Sequence, residues 1–225
     1  MTDTSRHDRR GFLARIAVAG ATVGLSPRWL DAAAPATVHQ DDPDAWIRRQ
    51  TGQHKQLFDM ATHDNGVGLV HVRNWLTTYN QAYSVPDGDL SAVCTLYGGT
   101  IPLGFNDAMW AKYQFGRALN ITDPKTNQPL ARNWFNHPME GDPFALGLFD
   151  SSMEALRARN VTFILCNNAW NFWTQRLAQN MSGMTAAAIK DELRANMLPG
   201  IDVVPAMVIA IGKAQEAGIA YMRLG

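Results

Sequence analysis

The sequence predicts an α/β protein, a three-layer α/β/α domain on a mostly parallel sheet of about five strands. Three observations carry this: short apolar or β-branched runs alternate with longer stretches of helical spacing, turn residues separate them, and the run 161–166 is apolar almost throughout. Parallel neighbours need crossover connections, and the intervening helices supply them.

Residues 54–60 form the first predicted strand. Val67, Val70, Trp75, Leu76 and Tyr79 then recur at roughly helical spacing over 67–83. Pro86-Asp87-Gly88-Asp89 makes a turn. The second strand covers 90–97 and ends at Gly98-Gly99, and a helix follows over 106–118 with Asn106 or Asp107 as its cap. Over 120–148 the pattern breaks at Asp123-Pro124, Gln128-Pro129, His137-Pro138 and Asp142-Pro143. This stretch reads as an inserted loop, of the length that serves as a lid, a binding surface or an oligomer contact. A helix is expected over 151–159. The run 161–166 suits a central strand buried on both faces. Helices over 169–179 and 185–196, a turn at Pro199-Gly200, a strand at 201–203, a helix over 204–217 and a strand at 219–222 complete the pattern.

The chain of 225 residues fits one core once a front segment is set aside, since single cores stop growing at roughly 250–300 residues. With 46% hydrophobic and 18% charged residues it can bury a sizeable interior. Net charge is zero, and the basic excess lies in the front segment at Arg6, Arg9, Arg10, Arg15 and Arg28, so nothing points to nucleic acid.

Asp8-Arg9-Arg10-Gly11-Phe12-Leu13, a weakly apolar run to Leu25 and Ala32-Ala33-Ala34-Pro35-Ala36 are the parts of a secretory signal. The arginine pair followed by Phe-Leu looks like a twin-arginine signal over 1–36, which implies export of a folded protein to the periplasm. The apolar run is far short of the roughly 20 residues that span a bilayer, so no stable membrane anchor is expected. Residues 37–52 are read as a tether with a short helix, and 53–225 as the domain.

Ligands in open α/β sheets bind beyond the carboxyl ends of the strands. That rule selects Asp59, His63 and Asp64 after the first strand, Tyr97, Gly98, Gly99 and Thr100 after the second, and Cys166, Asn167 and Asn168 after the run 161–166. Cys166 stands where a buried strand gives way to a helix N-terminus, whose free N–H groups stabilise a thiolate. Asn167 and Asn168 are placed to cap that helix and to hydrogen-bond the sulfur or a bound substrate. His63 is a candidate acid, base or thiolate partner. Trp170 and Trp173 flank the helix after Cys166, while Trp134-Phe135 sit in the insertion; either pair lines an apolar pocket or interface, or packs in the core. Cys94 lies inside a strand pattern and reads as core. The two cysteines form at most one disulfide.

His54, His63 and His71 do not fit one coordination sphere, because His54 begins a strand and His71 falls within a helix. No metal is expected. No glycine-rich phosphate loop, nucleophile elbow or metalloprotease motif occurs, which disfavours nucleotide enzymes and serine hydrolases, and no cofactor is expected.

Leu165-Cys166-Asn167-Asn168-Ala169, then Leu198-Pro199-Gly200-Ile201-Asp202-Val203-Val204-Pro205, then Ala214-Gln215-Glu216-Ala217-Gly218-Ile219-Ala220-Tyr221 resembles the DsrE/DsrF-like family, in its exported branch. The resemblance implies that Cys166 matches a position that carries sulfur as a persulfide, that the partner is a small sulfur compound, and that the chain forms a homo-oligomer. The alternative is a non-catalytic module that binds a small ligand or a partner on the same scaffold.

Overall fold

A computed structural model describes residues 42–142 and 149–224. The expected signal over 1–36, the first part of the tether and residues 143–148 of the insertion lie outside the described residues.

The fold is α/β, with five parallel strands in one sheet and helices on both faces. The strands are β1 (His54–Met60), β2 (Leu90–Leu96), β5 (Thr162–Cys166), β6 (Ile201–Val204) and β7 (Ala220–Leu224), in the order β6-β5-β2-β1-β7. A two-stranded antiparallel ribbon, β3 (Thr122–Asp123) and β4 (Gln128–Pro129), lies apart from it. The middle strand is β2, buried along its whole length, and β5 is its neighbour; the apolar run 161–166 therefore marks burial rather than the centre.

The two faces are covered unequally. One carries α2 (Val67–Tyr83), α3 (Asp107–Tyr113), α4 (Phe115–Ala118), α5 (Met153–Ala158), α6 (Asn167–Asn180) and α7 (Ala186–Ala195), which pack Leu76, Trp110, Phe115, Leu156, Trp170 and Leu193 into the larger core. On the other, α1 (Ala45–Arg48) and α8 (Met207–Glu216) bring Trp46, Met207, Ala210 and Ala214 against Leu57, Val93 and Ile164. The alternation of side chains along each strand sorts the two sets.

Sequence and structure differ at element ends for local reasons. The stretch 106–118 is two helices, because Gln114 takes a left-handed conformation with φ 51° between them; Asn106 caps the first by accepting from the Met109 amide at 3.2 Å. The last helix begins at Met207 rather than 204, since Val204 still pairs with Cys166 in the sheet. The described part of the insertion is no solvated excursion: Leu130, Trp134 and Phe135 are buried in the larger core. Asn133 fixes it by donating from Nδ2 to the carbonyls of Leu103 at 2.9 Å and Phe105 at 2.8 Å.

Candidate functional site

At the carboxyl end of β5 the chain turns directly into α6, and Cys166 itself caps that helix: its Sγ accepts from the Ala169 amide at 3.4 Å. A second donor comes from α8, whose Met207 amide lies 3.3 Å from the same sulfur. Two helix N-termini thus converge on one thiol, each aiming an N–H that its own helix leaves without an internal acceptor. The sulfur is not open to bulk water. Cys166 is 5% exposed and packs in the smaller core with Ile164, Val204 and Met207, beneath a turn in which Pro205, Val208 and Ile209 are exposed.

Asn167 and Asn168 do not cap the helix as the sequence implied, because Cys166 takes that place. The Asn167 side chain is buried and accepts instead from Lys190 Nζ of α7 at 2.7 Å, while Asn168 points outward, exposed. Lys190 also donates to Asn171 and lies 5.1 Å from the Trp170 ring centroid. Burial, and then the neighbouring Arg194, lower its basicity.

A buried carboxylate occupies the same face. Asp59 follows Leu57 by two residues on β1 and so shares its face; two strand spacings, roughly 10 Å, separate β1 from β5. Its Oδ1 accepts from the Thr95 hydroxyl at 3.2 Å and its Oδ2 from the Tyr221 hydroxyl at 2.7 Å. The Tyr97 phenol is pushed up to about 12, by burial first and then by hydrogen bonding to the same carboxylate. Tyr97 also packs against the small core that holds Cys166, so these two predicted residues belong to one neighbourhood.

Other predicted residues make internal bonds at the strand ends. Gly98, in a left-handed conformation with φ 56°, presents its carbonyl to the Trp173 indole N–H at 2.7 Å, and the Gly99 amide donates to the Ala61 carbonyl at 2.9 Å. Thr100 is buried, donating to the Met60 carbonyl at 2.8 Å and accepting from the Tyr97 amide at 2.9 Å. These bonds tie the ends of β1 and β2 to each other and to α6. Trp170 is fully buried against Phe105 in the larger core, as are Trp134 and Phe135.

His63 is not a partner of Cys166. Its Nε2 lies 3.2 Å from the Leu119 carbonyl and its ring packs on Phe135, on the opposite face of the sheet, where burial lowers its basicity. Cys94 is likewise on that opposite face, so the two thiols do not pair, and both are free. His54 stacks on Tyr79 at the start of β1, far along the strand from His63.

Sequence reasoning missed Thr95, Tyr221, Lys190 and the Met207 amide. Tyr221 was reachable in principle, because a parallel neighbour of β1 places it in register with Leu57, on the Asp59 face. The Met207 amide carries no side-chain signal at all.

No helix among the described residues is long and apolar enough to cross a membrane. No protein-family model matches the chain, and no curated protein matches it. Among solved structures it is similar to a protein of unknown function, MTH1491 from Methanobacterium thermoautotrophicum, at 17% identity over 76% of this chain and 99% of that one, with a TM-score of 0.39.

Proposed function

We propose that this chain is an exported DsrE/DsrF-like protein that accepts sulfane sulfur on Cys166. The observation that supports this reading is the pair of amides, from Ala169 and Met207, directed at one Sγ. Such donors complement negative charge on sulfur, whether thiolate or persulfide. The step is an exchange. The Cys166 thiolate attacks the terminal sulfur of an organic persulfide, the new S–S bond forms as the donor's S–S bond breaks, and the donor leaves as a thiolate. No external oxidant enters. The loaded sulfur needs room, and the exposed turn over Cys166 is the segment that must move to provide it. Tyr97, which packs against the core that holds Cys166, and Asp59 with its Tyr221 donor share that face of the sheet.

A homo-oligomer fits this reading. Val208 and Ile209 on α8 are 79% and 58% exposed, and at the far edge of the sheet β7 leaves Tyr221 and Met222 exposed, one on each face.

Cyanide strips sulfane sulfur as thiocyanate and returns the thiol. After loading with glutathione persulfide and desalting, the natural protein should yield about one thiocyanate per chain, and Cys166→Ser none. Equal yields from both would remove Cys166 from the reaction.

The low exposure of Cys166 favours a second reading, a binding module in which the thiol is dispensable. A small molecule retained in native mass spectra of both the natural protein and Cys166→Ser would support it.

A further inference from the structure

We infer that the groove between α3–α4 and the C-terminal half of α6 binds a small organic anion with an apolar body. The groove measures about 590 Å³, within the range of small-molecule sites. Its floor is apolar, formed by Tyr113, Trp173 and Leu177, all buried, with Met181 and Met184 beside them.

The charged side chains that line the groove are all basic. Arg117 of α4 and Arg176 of α6 stand on its two walls, and no carboxylate lines it. Lys112 is already matched, donating to Glu192 at 2.7 Å. Among the described residues no hydrogen bond or ion pair engages either guanidinium of Arg117 or Arg176, which leaves two uncompensated cations facing one apolar surface. Guanidinium groups bind carboxylate, phosphate or sulfonate through paired N–H donors, and the aromatic and thioether floor takes a hydrocarbon or ring. Two free charges in a concave site of this size suit one small anion better than a polyanion.

The floor is held before any ligand arrives. The Trp173 indole is fixed by its bond to the Gly98 carbonyl at 2.7 Å, and the Tyr113 hydroxyl donates to Glu192. A pre-formed site spends little of its binding energy on ordering side chains. Trp173 and Leu177 belong to the larger core, on the face of the sheet away from Cys166, so the site stands whether or not that thiol carries sulfur.

Decanoate and decanol are matched probes, alike in chain length and different in charge. In a titration of ¹⁵N-labelled protein followed at the Trp173 indole resonance, assigned with Trp173→Phe, decanoate should shift the signal saturably. Decanol should bind at least about tenfold more weakly, and so should decanoate to the Arg117→Gln/Arg176→Gln variant, whose remaining resonances report its fold. Absence of a saturable shift, or equal binding of decanoate and decanol by the natural protein, would overturn the assignment whatever the variant does. Undiminished decanoate binding by a folded variant would overturn it too.

Discussion

The Met207 amide donates to the Sγ of Cys166 across 41 residues of chain, at 3.3 Å, so that the first turn of α8 sits over the sulfur at the end of β5. With the Ala169 amide it gives this thiol two donors. Cys94 differs in every respect: fully buried in the middle strand, its thiol is pushed well above the ordinary range by burial alone.

Thiol labelling should therefore be selective. Iodoacetamide on the native protein is expected to modify Cys166, slowly because the turn above it must open, and to leave Cys94 untouched until the chain unfolds. Peptide mapping of the alkylated protein separates the two. Equal labelling would contradict the burial difference.

Tyr97 should resist ionisation until about pH 12. Its folded value lies above the unfolded value near 10, so the stabilisation it brings is complete below about pH 10 and is lost as pH rises toward 12. Asp59→Asn removes the carboxylate that helps hold the proton. Phenolate absorbance should then rise at lower pH than in the natural protein; an unchanged titration would separate Tyr97 from Asp59.

Arg159 closes a network at the other end of the sheet. It donates from Nε and Nη2 to both carboxylate oxygens of Asp87, each at 2.8 Å, and from Nη2 to Asn80 at 2.7 Å. Arg159→Met should cost about 1 to 2 kcal/mol in chemical denaturation at neutral pH, most of it missing in an Asp87→Asn background. The arginine holds the Asp87 carboxyl below its ordinary range. The network is thus fully present above about pH 4 and weakens as pH falls below that. A deficit that persists unchanged in acid would contradict the pairing.

The insertion docks against α4 through Gly116. A Cβ there would lie 2.2 Å from the Leu130 carbonyl oxygen and 2.6 Å from its amide nitrogen, both backbone atoms. Gly116→Ala should therefore destabilise by about 3 kcal/mol or more, because neither backbone can yield without moving the other. Thermal unfolding measures it. A neutral substitution would mean that 121–130 is not packed as described.

The alternation of apolar runs and helical spacing was enough to read the α/β class, because burial on both faces of a parallel sheet writes itself into the sequence as continuous runs such as 161–166. Strand order was not legible: β2 and β5 are both buried, and only the pairings of Val93 with Thr162 and Phe58 with Cys94 set which is central. The insertion read as loop because its prolines stop regular structure, yet Trp134 and Phe135 fill the core without any. At the site, the strand end brought Cys166 and Tyr97 into view. His63 was misread because three residues past β1 are enough for the chain to cross to the other face. The second donor to the sulfur is a main-chain amide from a distant helix, which only the folded backbone can place.

The central claim is that Cys166 accepts sulfur, and intact mass after incubation with glutathione persulfide under argon tests it most directly. The natural protein is predicted to gain one sulfur atom, mapped to the peptide containing Cys166 and removed by dithiothreitol, while Cys166→Ser gains none. A natural protein that emerges with both thiols unmodified would contradict the account.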